Sequence, residues 1–99
     1  MKNILLLCCA GMSTSMIVQR MDTEAKKQGK EYFIHADSLN VADKLVPDAD
    51  IILIGPQVRY AMNNLKKEYP DKKFFDIPMQ MYGTFDGKKL LAFAEEHLG

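Results

Sequence analysis

A cysteine ends the first apolar run of this chain, and small and hydroxyl-bearing residues follow it. Cys8-Cys9-Ala10-Gly11-Met12-Ser13-Thr14-Ser15 comes directly after Ile4-Leu5-Leu6-Leu7. A cysteine needed only for packing has no use for such a sequel, whereas a thiol that must meet a phosphate does. Cys8 stands at the end of a strand, and residues 9–15 turn from it into a helix. A helix N-terminus carries unpaired N–H groups and a partial positive charge, and both favour an anion. Gly11 lets the backbone approach closely, and Ala10 is too small to obstruct it. Ser13, Thr14 and Ser15 add hydroxyl donors and are also candidates to cap the helix. The same field raises the thiolate fraction of a nearby thiol. The chemistry that fits is in-line transfer of a phosphoryl group onto the Cys8 sulfur and off it again. Cys9 to Ser15 form the phosphate loop, with the Cys9 side chain as a small filler facing away.

Other phosphate and thiol chemistries fit less well. A Walker loop ends in Gly-Lys-Ser or Gly-Lys-Thr, which this stretch lacks. Small tyrosine phosphatases place an arginine six residues after the cysteine; here Thr14 follows Cys8 at that spacing and Ser15 follows Cys9. The chain's two arginines are Arg20 and Arg59, and Arg20 lies about 10 Å along the helix from Ser13. Without such an arginine the transition state of fast hydrolysis is poorly stabilised. That suits a protein that holds its phosphate for a partner. Adjacent cysteines do not make the Cys-x-x-Cys redox pair. His35 and His97 stand alone and far apart, so no metal site is predicted, and no cofactor is called for.

The elements that must position this loop alternate strand-like and helix-like. Asn3–Cys8 and Asp50–Ile54 are nearly continuous apolar runs, as in strands covered on both faces. Glu31–Ala36 and Lys73–Ile77 read as two further strands. A helix runs to about Gln28 with Ile17, Met21 and Ala25 in one stripe, and Gly29 stops it. Ser38 is placed to cap a short helix over Leu39–Leu45, ended by Pro47. Gly55-Pro56-Gln57 is a turn opening a helix with Val58, Met62, Leu65 and Tyr69 in one stripe. A loop holding Pro78 and Gly83 precedes a last helix from about Phe85 to Leu98, with Leu91, Ala94 and Leu98 inward. Strands joined by helices are parallel, with right-handed crossovers. The prediction is an α/β fold: one four-stranded parallel sheet, order 2-1-3-4, with helices on both faces. Its switch point lies between strands one and three, where ligands bind beyond the strand ends. Gln57 and Tyr82 come from the turns that open there and are candidates for the pocket edge, and Asp86 for a docking face.

These residues resemble a known family. Cys8–Ser15 is similar to Cys-x-Ala-Gly-Met-Ser-Thr-Ser, the cysteine loop of the IIB components of the sugar phosphotransferase system, lactose/cellobiose (chitobiose) class. DIILIGPQVRY, residues 50–60, resembles that family's third strand and Gly-Pro-Gln turn. MYGTFDG, residues 81–87, resembles the loop after its fourth strand. The resemblance implies a single domain over residues 1–99 and a sheet like that of the low-molecular-weight tyrosine phosphatases. It also implies that Cys8 is the phosphorylated cysteine and that Cys9 takes the variable position. A phosphohistidine of enzyme IIA is the implied donor, and a disaccharide held by the membrane enzyme IIC is the acceptor. The contrasting reading is a stand-alone small cysteine phosphatase or an arsenate reductase-like enzyme.

Composition bounds the partners. The 99 residues hold 13 basic and 13 acidic side chains, which cancel. No excess of positive charge favours nucleic acid. The longest apolar run, Ile4 to Ala10, is far too short to cross a bilayer, and no signal peptide is read. Two adjacent cysteines and seven methionines point to a reducing, cytoplasmic setting. No large apolar stripe is left over, so a monomer is expected.

Overall fold

The computed structural model describes residues 1–8, 12–84 and 86–98, without the side chains of residues 12–14. Four strands form one sheet in the order β2-β1-β3-β4, every pair parallel. They are β1, Lys2–Cys8; β2, Tyr32–Ser38; β3, Ile51–Ile54; and β4, Phe74–Asp76. The predicted order and the fold class are both observed.

The apolar runs explain the two-sided cover. Side chains alternate across a strand, so a run with no polar member needs an apolar partner on each face. Ile4, Leu6, Ile51 and Leu53 pack on one face with Ile17, Met21 and Ala25 of helix α1, Met12–Lys27. Leu90, Leu91 and Ala94 of helix α5, Gly87–Leu98, complete that cluster. Leu5, Leu7, Ile52 and Ile54 pack on the other face with Ala42, Val46, Ala49, Val58 and Leu65. Those partners come from helix α2, Ala42–Leu45, and helix α3, Met62–Glu68, with the turns around them. Each fully buried Leu or Ile contributes about 1.5–3 kcal/mol, so the two central strands anchor the molecule.

Local signals set the ends. Gly29 has φ 75°, a left-handed conformation that suits glycine, and Lys30 N donates to Ala25 O across the stop. Lys30 and Tyr32 then both hold Glu95 of α5, the tyrosine hydroxyl at 2.8 Å, and so tie the start of β2 to the last helix. Burial alone would raise the Glu95 pKa, but the hydrogen bonds from Lys30 and Tyr32 and the Lys30 charge outweigh it and lower it.

Several boundaries differ from the sequence expectation, the strand ends by one or two residues. Helix α1 starts at Met12, so Ser13, Thr14 and Ser15 lie in its first turn and not at its cap. Strand β2 runs on to Ser38, and the Ser38 side chain makes no cap hydrogen bond to the 3-10 turn at Leu39–Val41. The segment after Gly55 is a 3-10 stretch, Pro56–Ala61, kinked at Val58 before α3 begins. Burying Val58 with Leu5 and Ile54 takes precedence there over regular helical turns. The expected loop at Pro78–Gly83 contains a short helix α4, Met79–Gly83, with Tyr82 N donating to Pro78 O. Finally, α5 starts at Gly87, where the Asp86 carboxylate accepts from Lys89 N at 3.0 Å and caps the helix.

Gly87 also decides how closely α1 and α5 pack. A β-carbon there would stand 2.5–2.6 Å from the backbone and Cβ of Arg20.

Candidate functional site

Cys8 is the last residue of β1. It has the same parity as Ile4 and Leu6, so its side chain leaves the sheet on the face that α1 and α5 cover. Yet it belongs to neither apolar cluster among the described residues. Its place is the carboxyl rim of the sheet, at the point where the strand order reverses between β1 and β3. Helix α1 begins four residues later on the same face, which brings the positive end of its dipole towards that rim.

The register lays out the row of residues beside the sulfur. Ser38 stands opposite Cys8 on β2. On the other side Leu7 pairs with Ile54, and Gly55 N donates to Leu7 O at 2.8 Å. Gly55 therefore falls beside Cys8. A β-carbon at Gly55 would stand 2.9 Å from Cys8 Cβ and 3.2 Å from Gln57 Oε1. Glycine is needed at this position because the next strand comes too close for any side chain. The Gln57 carboxamide turns back to the space that glycine leaves, so the cysteine and the glutamine converge on one point. Gln57 was the expected pocket-edge residue from this turn, and the fold brings it to Cys8.

The other predicted residues are placed as follows. Cys9, Ala10 and Gly11 lie outside the described residues, as do the side chains of Met12, Ser13 and Thr14. Ser15 is exposed in the first turn of α1. Tyr82 is 9% exposed and packs with the core on the α1–α5 face, so any part it plays at a pocket edge is confined to that margin. Asp86 serves α5 as its cap. Cys8 itself is 3% exposed, so any group that reacts with its sulfur has to approach it closely at the rim.

Both arginines have structural surroundings of their own. Arg20 sits two turns along α1, its backbone against Gly87. It lines a shallow groove of about 350 Å³ with Lys27 and Lys88, among others. Arg59 pairs with Asp76 at 3.6 Å, both side chains largely exposed. His35 Nε2 donates to Asn3 Oδ1 at 2.6 Å, and the ring stacks on Phe33. Burial lowers its pKa, partly opposed by Asp37. His97 stacks on Phe75. No group of three metal-ligating side chains gathers among the described residues.

Residues 3–93 match the family model described as "PTS system, Lactose/Cellobiose specific IIB subunit". This chain belongs to that family. As a IIB component it is a sugar-specific part of a phosphotransferase system, a phosphotransferase component in sugar transport. It is 40% identical over 101 residues to the galactose-specific EIIB component of Lactococcus lactis subsp. cremoris, covering 95% of this chain and 94% of that one. The same identity and coverage relate it to the cellobiose-specific EIIB component of Lactococcus lactis subsp. lactis. It is 41% identical over 91 residues to the oligo-beta-mannoside-specific EIIB component of Bacillus subtilis, covering 90% and 88%. Among solved structures it superposes with a TM-score of 0.80 on the cellobiose-specific IIB component of Borrelia burgdorferi, at 36% identity over 96% of this chain and 89% of that one. The lactose-specific IIB domain of Streptococcus pneumoniae, 17% identical, shares the fold at a TM-score of 0.88 over 97% and 96%. Among the described residues of this IIB component no helix is long and apolar enough to cross a membrane.

Ser38 is the residue beside the sulfur that the sequence reading placed in another role. A serine before Leu-Asn-Val looks like a helix cap whether or not it ends a strand, and only the pairing with β1 distinguishes the two.

Proposed function

We propose that Cys8 carries the phosphoryl group of this IIB component. It accepts the group from a phosphohistidine of enzyme IIA and passes it to a disaccharide of the cellobiose, chitobiose or lactose class held by the membrane enzyme IIC. The observation that supports this reading is the position of Cys8: the last residue of the central strand, beside Gly55, with the N-terminus of α1 on its own face. In the first step the Cys8 sulfur attacks phosphorus in line. The S–P bond forms as the N–P bond breaks, and the electron pair leaves with the imidazole nitrogen, which takes up the proton lost by the thiol. In the second step a sugar hydroxyl oxygen attacks phosphorus. The O–P bond forms, the S–P bond breaks with its electron pair leaving on sulfur, and the hydroxyl proton passes to the departing thiolate, which restores the thiol. The amides of Cys9–Ser15 neutralise the phosphoryl oxygens throughout. The protein does this work in the cytoplasm, as a monomer that meets its two partners in turn through small, quickly released interfaces.

Incubation with a phosphorylated IIA component followed by intact mass measurement and site mapping tests the proposal. One phosphoryl group is expected on Cys8. Cys8→Ser should accept none with thiol-like lability, while Cys9→Ser should accept and pass it on. A dead Cys9→Ser beside a live Cys8→Ser would reverse the assignment. Sustained turnover of an aryl phosphate would favour a hydrolase.

A further inference from the structure

We propose that Ser38 is a further residue of the phosphoryl site and that its hydroxyl donates a hydrogen bond to a terminal oxygen of phosphocysteine at Cys8. The inference rests on the carrier reading of Cys8. Ser38 is the register partner of Cys8 on the neighbouring strand. Paired residues of parallel strands leave the sheet on the same face, and their backbones lie about 4.8 Å apart. The parity agrees, because Ile34 packs in the α1–α5 cluster, Ala36 packs against it, and Ser38 follows in the same series. A phosphoryl group on the Cys8 sulfur therefore grows into the space beside the Ser38 side chain.

The donors of Ser38 are already sorted. Its backbone N–H is taken by Asp37 Oδ1 at 2.9 Å. Its hydroxyl does not cap the turn that follows, although its backbone is extended, with φ −84° and ψ 165°, as a cap's would be. The side chain is half-buried at the sheet's rim. Across the row, Gly55 offers no side chain at all and Gln57 presents an oxygen to the vacated space. An oxygen of that carboxamide accepts hydrogen bonds and repels a dianion. The serine hydroxyl is therefore a side-chain donor that flanks the sulfur within the sheet, and the α1 amides supply the rest from above.

The test compares wild type, Ser38→Ala and Ser38→Thr as acceptors from a phosphorylated IIA component, and follows the phosphocysteine by ³¹P NMR. A hydrogen bond to a charged group predicts that Ser38→Ala forms phosphocysteine about 10-fold more slowly or worse. The second ionisation of its phosphoryl group, near pH 6 in phosphorylated side chains, should also move up about half a unit or more because the dianion has lost a donor. Ser38→Thr keeps the hydroxyl and should restore both. Ser38→Thr and Ser38→Val differ only in hydroxyl against methyl, so they repeat the comparison at constant shape if alanine loosens the strand end. Unchanged melting temperatures with a slow Ala and a fast Thr support the proposal. A folded Ser38→Ala that accepts phosphate at the wild-type rate with an unmoved ionisation overturns it, as does a threonine no better than valine. If wild type forms no phosphocysteine, the carrier reading falls and takes this inference with it. A phosphorylated wild type with an indifferent Ser38 overturns this inference alone.

Discussion

Replacing Gly55 by alanine tests how tightly the sheet holds the sulfur. The added β-carbon would stand 2.9 Å from Cys8 Cβ, 3.2 Å from Gln57 Oε1 and 3.4 Å from Leu7 O. Two carbons in ordinary contact are about 3.5–4.0 Å apart, so the cysteine and the new methyl must separate by roughly 0.6–1 Å. Neither side can yield without moving a central strand, because Leu7 and Ile54 beside them are fully buried. The backbone itself raises no objection: Gly55 has φ −64° and ψ 149°, which alanine adopts readily. Alanine also reduces the freedom of the unfolded chain, a gain of about 0.4–1 kcal/mol. Overpacking of this kind costs about 1–3 kcal/mol. The net loss is about 1 kcal/mol, a fall in melting temperature of about 4–8 °C for a domain of this size.

The effect on phosphoryl acceptance should exceed the effect on stability. A misplacement near 1 Å at a reacting atom costs about 100-fold in rate, so folded Gly55→Ala should accept phosphate from IIA at least about 10-fold more slowly than wild type. Gly87→Ala is the matched control. Its added carbon would come closer still, 2.5–2.6 Å from Arg20 backbone and Cβ atoms, so its stability loss belongs at the upper end of the same range, about 3 kcal/mol. Its clash lies between α1 and α5, two turns along α1 from the sulfur. Per folded molecule its rate should stay near wild type. Thermal melts and initial acceptance rates, both measured below the lower melting point, settle the comparison. A Gly55→Ala protein with wild-type melting and wild-type acceptance would refute the close approach. A Gly87→Ala protein as slow as Gly55→Ala would show that helix packing in general, and not the space beside Cys8, controls the rate.

Two further predictions concern pH. Glu95 has its pKa lowered by Lys30 and Tyr32 against the effect of burial, so it contributes stability that is fully present above the ordinary carboxylate value and lost as pH falls through the lower, folded value. Urea midpoints should therefore drop below about pH 4.5 in wild type, and more shallowly in Glu95→Gln; equal slopes would refute the tie. His35 has its pKa lowered by burial, with Asp37 opposing, so its contribution is present above its ordinary value of 6.5 and lost as pH falls. An NMR titration of the ring should report a midpoint below 6.5, and a midpoint above it would mean that the attraction of Asp37 outweighs burial at the ring.

Much of this architecture is legible in the residues. Ile4–Leu7 and Ile51–Ile54 have no polar member, which demands cover on two faces, and the two clusters supply it. Gly29 reads as a helix stop and is one. What stays hidden depends on neighbours that are distant in the chain. Gly83 looks like a loop glycine, yet Met79–Tyr82 close a helical turn before it. Gly87 looks like any glycine near a helix start until Arg20 is laid against it. Gly55 reads as half of a turn, and only the pairing of β3 with β1 shows that it spares the cysteine a collision. Ser38 is ambiguous for the same reason.

The arginines bear on why such a site would keep a phosphate instead of shedding it. Hydrolysis needs a cation fixed where charge develops on the equatorial oxygens, and a fixed one is worth several powers of ten. Arg20 is far along α1, with its backbone pressed against Gly87. Arg59 is on the nearer segment, but it is oriented towards Asp76 at 3.6 Å across an exposed pair. Such a pair is worth about 0–1 kcal/mol, which is too little to hold a guanidinium immobile and leaves it as a mobile charge rather than a preorganised clamp. On the proposed reading, backbone amides and a hydroxyl would stabilise a bound dianion but would do less for the additional charge that an attacking water brings. A sulfur held by such donors would, on that reading, keep its phosphoryl group until a partner supplied a better nucleophile already aligned with the S–P bond. Neutral donors at the proposed rim, with no fixed cation there among the described residues, would then separate a carrier from a hydrolase built on the same sheet.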